Sequence, residues 1–389
     1  MLRLMDFDLT DEQEQFRQVI RAFADDVVAP EASERDEKEE FPLEIVRRMA
    51  ELGLFGIPFP EKFGGSGADS VTMCLAIEEL GRVDQSVAIT LSAAVGLGAT
   101  MIHRFGSPEQ HERWLAPLAR GEMLASFALT EPGGGTDASG AKTTAREDGD
   151  GWVIDGTKAF ITNSGTPLTG VHVVAAATES GGGSHGLSTF LVPADAPGVT
   201  VAPDYRKLGW RSSDTHELSF SGVRVPADAM LGERGRGFAQ CLSILTDGRT
   251  SIAALSVGLA QGCLDASVAY AMEREAFGHA IGANQLIQGK LADMRVATES
   301  ARLLTYRAAW MRDRGRPHAA EASMAKLAAS EAAVMCAREA IQVHGGYGFI
   351  EDFPVARFYR DAKVLEIGEG SSEIQRLLLA RDLGLPDAL

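Results

Sequence analysis

The sequence predicts an α+β protein in three parts: an N-terminal all-α domain over residues 1–122, a middle β-domain (barrel or sandwich) over 123–237, and a C-terminal helical bundle over 238–389. Three observations predict it. Apolar residues recur at helical spacing as far as about residue 122. Val, Thr and Phe then become frequent, punctuated by Asp-Gly pairs at Asp148-Gly149, Asp150-Gly151 and Asp155-Gly156. From about residue 238 long helical patterns return.

In the first part, Thr10 with Gln13 has the form of a capping box, and Phe16, Ile20, Phe23 and Val27 follow at helical spacing. Further helices are predicted over 42–54, 70–81 and 86–105, with Gly64-Gly65-Ser66-Gly67 as a loop. In the middle part, residues 152–162 read as two strands about a tight turn. More strands are predicted over 171–178, 187–192, 198–203 and 216–223, and Gly181-Gly182-Gly183 reads as an exposed loop tip. In the last part, Ile252, Leu255, Leu259 and Cys263 mark one face of a helix ending near Phe277-Gly278. Two more helices are predicted over 285–314 and 320–344, the latter stopped by Gly345-Gly346. This part is also expected to supply an oligomer interface.

A chain of 389 residues, 45% hydrophobic and 23% charged, can bury a sizeable core. Its net charge of -17, from 37 basic and 54 acidic side chains, disfavours nucleic acid or an anionic membrane as the main partner, because phosphate contact needs a basic field. The opening Met1-Leu2-Arg3-Leu4-Met5-Asp6 turns acidic without an apolar signal core. No uninterrupted apolar run reaches the roughly 18 residues of a spanning helix. Cys74, Cys241, Cys263 and Cys336 are isolated, as buried reduced thiols would be, and no metal-ligand set is expected. A soluble protein of a reducing compartment, the cytoplasm, is the expectation.

The chemistry concentrates in Glu366-Ile367-Gly368-Glu369-Gly370-Ser371-Ser372-Glu373-Ile374-Gln375. Glu369 sits between glycines that let the backbone bend and a ligand come close. A carboxylate dried out there acquires a raised pKa and can act as a general base. Taken alone, the segment reads first as a capped helix N-terminus, with Ser371 or Ser372 as the cap. Four other segments are weak singly. Phe127-Ala128-Leu129-Thr130-Glu131-Pro132-Gly133-Gly134-Gly135-Thr136-Asp137 becomes a glycine loop able to cradle a polar ring edge or phosphate, or is an ordinary turn. Lys158-Ala159-Phe160-Ile161-Thr162-Asn163 places an aromatic and a hydroxyl two residues apart, on one strand face. Arg274, near Gln285, either complements a helix dipole or reaches a phosphate. Gln342-Val343-His344-Gly345-Gly346-Tyr347-Gly348 offers a bare backbone after a helix, or simply a glycine C-cap. No Rossmann fingerprint, Walker loop, H-E-x-x-H or G-x-S-x-G is present.

In order and spacing these segments, with Arg360-Asp361-Ala362-Lys363, resemble the acyl-CoA dehydrogenase family over about residues 7–384. The resemblance implies a helical domain, a β-domain and a C-terminal four-helix bundle, usually in a homotetramer built as a dimer of dimers. It implies FAD between the β-domain and the bundle, with Phe127, Leu129 and Thr130 beside the flavin, Thr130 and Thr162 bonding its polar edge and Phe160 on one face. It implies that Arg274, Phe277 and Gln285 meet the diphosphate and adenosine half across a subunit interface, together with Gln342, Gly345 and Gly346, and that Ser371 and Glu373 also lie at cofactor-binding positions.

Glu369 matches the family's catalytic base, which removes the α-proton of an acyl-CoA while the β-hydride passes to flavin N5. The thioester carbonyl would be held by the Glu369 N–H and a ribityl hydroxyl. Thr136, Thr246, Arg249 and Gly370 match positions near the acyl-CoA. Electrons would leave to an electron-transfer flavoprotein. Some members carry the base immediately before the arginine matching Arg249; here that position is Gly248, which cannot serve.

Departures from the family pattern are Gly133-Gly134-Gly135-Thr136 for the usual Gly-x-Gly-Ser, Phe160 for a common tryptophan, Ala276 for a hydroxyl, Thr246 for an acid and Gly368 for a common tyrosine. The last implies room for a branched acyl chain. The pocket is expected between residues 86–98, which contain no cation, and the first helices of the bundle. The alternatives are an acyl-CoA oxidase, which passes electrons to oxygen, and a non-catalytic flavin-binding scaffold.

Overall fold

The computed structural model describes residues 8–179 and 183–386. The opening residues 1–6, and Gly181 and Gly182 of the triglycine tip, lie outside the described residues.

The N-terminal part comprises α1 (Asp11–Phe23), α2 (Ala32–Lys38), α3 (Leu43–Glu51), α4 (Ser70–Val83), α5 (Gln85–Ala93), α6 (Thr100–Phe105), α7 (Pro108–Gln110) and α8 (Ala116–Ala119). Thr10 and Gln13 close the capping box of α1 in both directions. The helix predicted over 86–105 is interrupted by a π-helical turn, Ala94–Ala99, between α5 and α6. Gly98 in that turn packs so tightly on the sheet that a Cβ there would stand 2.6 Å from Ala125 Cβ.

The middle part is one sheet of β1 (Leu124–Ala128), β2 (Thr144–Asp148), β3 (Gly151–Thr162), β4 (Thr169–Ala177), β5 (Leu187–Pro193), β6 (Val199–Val201), β7 (Thr215–Pro226) and β8 (Met230–Leu231). The strand order is β6-β7-β3-β2-β4-β5-β8, with β1 parallel to β4. Alternation splits the sheet between two cores. Val174, Ala176, Phe190 and Val192 join Trp152, Ile154 and Leu218 in a core of the sheet's own. Val173, Ala175 and Leu191 face the other way, into the core shared with the helices.

The sheet departs from prediction at 152–162, which form one strand rather than two about a turn. Asp155-Gly156 is a bulge against β7, where the register shifts between Ile154 and Gly156. Gly156 adopts φ 150 and lies so close to Thr143 that a Cβ would meet its Oγ1 at 2.5 Å. The reversal falls earlier, at Gly149 (φ 66), between β2 and β3.

The C-terminal part holds α9 (Gly237–Glu273), the short hairpin β9 (Glu275–Ala276) and β10 (His279–Ala280), then α10 (Gln285–Asp313), α11 (Ala319–His344), α12 (Pro354–Leu365) and α13 (Ser372–Asp382). Helix α9 packs on α10, α11 and α12 as a bundle, and on α4. It stops at Glu273, short of the predicted Phe277-Gly278: Arg274 is extended, and Phe277 and Gly278 take φ 56 and 82 to turn the hairpin that follows. The stretches Gln85–Phe105 and Gly237–Glu273 are long and apolar enough to cross a bilayer, but both are mostly buried within the protein as core helices. All four cysteines are buried and free.

Hydrogen bonds tie the loops of the sheet to the bundle and to the N-terminal helices. The Trp210 N–H donates to Asp361 Oδ1 at 2.6 Å, on α12. Asn163 Nδ2 donates to the Thr90 carbonyl at 3.0 Å, on α5.

Candidate active site

Glu369 stands on the loop between α12 and α13. Gly368 follows the end of α12, and the loop is closed by the Ser372 N–H donating to the Glu366 carbonyl at 2.9 Å. Glu369 and Gly370 are both left-handed, with φ 52 and 95. Glycine adopts this backbone freely, whereas a glutamate held there is strained and needs the surroundings to hold it. What holds it is the Gly370 carbonyl, which accepts from Lys326 Nζ at 2.8 Å and from Gln375 Nε2 at 2.9 Å.

The carboxylate turns inward. A Cβ on Gly248 of α9 would collide with Glu369 Oε2 and would lie 3.2 Å from Leu97 Cδ2 of the π-helical turn. Glycine at 248 therefore makes the space that the Glu369 carboxylate occupies. Burial pushes the Glu369 pKa up to about 7, against the pull of Lys326 and Arg249. Its Oε2 is buried without a hydrogen-bond partner among the described residues, and no backbone carbonyl accepts from its N–H. A carboxylate poised near neutrality beside an apolar wall is equipped to take a proton from a weak carbon acid.

The neighbouring predicted residues divide by position. Arg249 is buried on α9, with Nε unpaired among the described residues. Thr246, a turn earlier, is half-buried and bonds the Leu242 carbonyl at 3.1 Å. Between them Asp247 gathers Arg104, Arg312 (3.4 Å) and His318 (3.0 Å), tying α6, α10 and the start of α11 to α9. Ser371 is the N-cap residue of α13, though without a side-chain cap bond, and its hydroxyl holds the exposed Glu373 carboxyl below the usual range. Gly370 follows Glu369 directly in the same left-handed turn.

On the sheet, Phe127 ends β1 with Ala128, and Leu129 and Thr130 follow. The Thr130 carbonyl accepts from the Ala159 N–H at 2.9 Å, laying this segment along β3. A buried ion pair fastens it: Lys158 Nζ meets Glu131 Oε1 at 2.9 Å and the Leu129 carbonyl at 3.1 Å. Burial alone would raise the Glu131 carboxyl, but Lys158 and the Lys142 and Thr143 N–H groups outweigh it and hold it at about 2. Phe160 sits in a second β3 bulge at φ 59, 66% exposed, and stacks on Tyr205 with centroids 5.0 Å apart. Strict alternation with Thr162 is therefore broken, and Thr162 closes the strand opposite Thr215. Gly133, Gly134 and Gly135 form the turn beside Glu131, and Thr136 is exposed after it.

A third group lies on the surface. Arg274, the C-cap residue of α9, holds its guanidinium 5.6 Å from the Tyr347 ring centroid. Phe277 is 97% exposed, and Gln285 and Gln342 are exposed on α10 and α11. Gly345 has φ 60, and a Cβ on it or on Gly346 would meet nothing within 4 Å. FAD, the group the resemblance implies, fits these residues. An aromatic ring stands exposed on β3, and bare glycine backbone lies in open space next to Tyr347, over which Arg274 reaches.

Sequence reasoning passed over Lys326 and Asp247. The signal for Lys326 was a lone lysine in the alanine-rich run Ala325-Lys326-Leu327-Ala328-Ala329. Asp247 carried none, because its partners come from three distant segments.

Three family models match the chain: the acyl-CoA dehydrogenase N-terminal domain over residues 10–122, the middle domain over 126–223 and the C-terminal domain over 235–384. The chain is 48% identical over 379 residues to the probable acyl-CoA dehydrogenase YngJ of Bacillus subtilis, covering 97% of this chain and 100% of that one. Its fold superposes on butyryl-CoA dehydrogenase from Megasphaera elsdenii with a TM-score of 0.95 at 42% identity, covering 97% and 100% of the two chains. A chain in a structure described as the electron transferring flavoprotein of Acidaminococcus fermentans also gives a TM-score of 0.95, at 41% identity, with 97% and 99% covered.

Proposed function

The chain belongs to the acyl-CoA dehydrogenase family, and from that premise we propose that it is an FAD-dependent dehydrogenase that desaturates a short acyl-CoA to the trans-2-enoyl-CoA, with Glu369 as the base. The observation that carries the assignment is the unpartnered Glu369 Oε2 held over Gly248, with its pKa pushed to about 7. FAD, when bound, supplies the acceptor for the β-hydride at its N5.

The chain's own residues do the rest. The Glu369 carboxylate takes the α-proton, and its backbone N–H, free of any backbone acceptor among the described residues, is available to the thioester carbonyl where enolate charge develops. An acyl chain beside Leu97 expels water and raises the basicity of Glu369 further. Thr136, Thr246, Arg249 and Gly370 orient the acyl-CoA. Phe127, Leu129, Thr130, Phe160 and Thr162 flank the ring, and Ser371 and Glu373 border the cofactor from α13.

A short chain is supported by the likeness to a butyryl-CoA dehydrogenase. Tolerance of a branch is supported by Gly368, where an added Cβ would meet only the Val364 carbonyl, at 3.5 Å. Arg274, Phe277, Gln285, Gln342, Gly345 and Gly346 would hold the dinucleotide half across an interface of a homotetramer. The exposure of Phe277, Leu286 and Phe349 at 97%, 85% and 88% supports a partner there. Likeness to a chain from an electron-transferring flavoprotein structure supports such a protein as the acceptor. The buried free thiols suit a reducing cytoplasm.

Anaerobic titration with butyryl-, isobutyryl-, isovaleryl- and octanoyl-CoA, following loss of oxidised flavin absorbance, tests the reading. Bleaching by the four- and five-carbon substrates is expected, and no bleaching by any of them would refute it. Bleaching by butyryl-CoA alone would remove the branched-chain inference.

A further inference from the structure

Lys326 is fully buried on the alanine-rich helix α11. A buried ammonium is costly unless its surroundings compensate it. Burial pulls its pKa down to about 8, so it is still charged at neutral pH. Its hydrogen bond goes to a backbone carbonyl rather than a carboxylate: Nζ reaches Gly370 O at 2.8 Å, beside the left-handed Glu369. The charged groups facing it are Glu369 and Glu366 on the loop, Arg249 on α9 and Glu373 on α13. Those facing Glu369 are Lys326 and Arg249.

We propose that Lys326 is a positioning residue for the base: its ammonium pins the Gly370 carbonyl, and with it the turn that presents Glu369, and sets a buried positive charge beside that carboxylate. The inference rests on Glu369 being the base, as assigned above. A purely structural lysine would secure α11 against the loop without affecting the ionisation of Glu369. The two roles separate when charge is removed and the donor is kept.

Lys326→Gln keeps a donor for Gly370 O without the charge, and Lys326→Met removes both. Glu369 is followed in the flavin-loaded protein, without acyl-CoA, through its protonated carboxyl infrared band, identified by its loss in Glu369→Gln. The midpoint of that band is expected to move upward by about one pH unit in both variants, since removing a positive charge that favours the ionised carboxylate raises its pKa. The acidic limb of kcat/KM for butyryl-CoA should move with it, and kcat at the optimum should fall further in Lys326→Met than in Lys326→Gln. A folded, flavin-loaded Lys326→Gln with an unmoved midpoint overturns the proposal, whatever its activity and whether or not Lys326→Met folds. Failure of the dehydrogenase reading would show separately, as absence of bleaching in the unaltered protein, while the infrared midpoint would still report on the Lys326–Glu369 couple.

Discussion

The two ends of the site are built to different degrees of completion. At the base end one chain supplies everything: the left-handed loop, the space over Gly248, the Leu97 wall and the Lys326 and Arg249 charges, all at least half-buried. At the other end Arg274, Phe277, Gln285, Gly345 and Gly346 lie in the open, with a phenylalanine 97% exposed. On the proposed reading, the difference separates the chemistry that demands precision within a subunit from the binding that does not. Proton abstraction tolerates little displacement, so its groups are fixed by the protein's own packing. The dinucleotide half, on the proposed reading, would be held jointly with a second copy, which is consistent with that end being exposed in one chain.

The largest effect should come from the base itself. Glu369→Gln should retain FAD and acyl-CoA while kcat falls by about 10³-fold or more, measured by anaerobic flavin bleaching, because a general base contributes on this scale. Near-normal turnover would break the account of the buried end. Next, Gly248→Ala should cost about 10²-fold in kcat/KM without loss of fold, since the added methyl must displace the carboxylate by around an ångström. Wild-type kinetics in that variant would mean the carboxylate is looser than the packing implies.

At the exposed end the expected effects are smaller and of another kind. Arg274→Ala should weaken FAD retention by about 10–100-fold, the worth of one hydrogen bond to a charged group, as read by flavin release on dilution. Turnover at saturating FAD should change little. If instead kcat collapses while FAD stays bound, the division between the two ends fails.

The smallest effect is on stability. The Glu369 pKa is raised on folding from 4.5 to about 7. The folded state therefore holds the proton more tightly than the unfolded one, and stability contributed by this group falls as pH rises between those values. Above about pH 7 the buried carboxylate is a net burden, so Glu369→Gln should melt higher by about 2–4 °C or more there. Below pH 4.5 the two proteins should melt together. Scanning calorimetry at pH 4 and pH 8 checks both signs.

Much of this was legible in the chain. Thr10 and Gln13 announced a capping box by type and spacing alone, because the motif is local. The Gly368-Glu369-Gly370 triplet announced a bent carboxylate-bearing loop for the same reason. The break at 152–162 was misread because Asp-Gly is a turn signal in isolation. Only the approach of Thr143 and β7 makes it a bulge within a continuous strand. The π-helical turn at Ala94–Ala99 and the Asp247 cluster were illegible, since both depend on how distant segments meet. Lys326 lay between these cases. A single charge among alanines was visible, but that it reaches across to Gly370 was not.

The meeting of Gly248 with the Glu369 carboxylate has a further implication for how this architecture can diversify. A helix and a loop far apart in the chain address the same point from opposite sides, and only one of them can hold an acid there. An ancestor carrying a carboxyl on the helix and one carrying it on the loop would share every other part, separated by a pair of compensating exchanges. Either exchange alone would leave a crowded site or an inert one, so the location of the acid should be inherited as a coupled trait of the two positions.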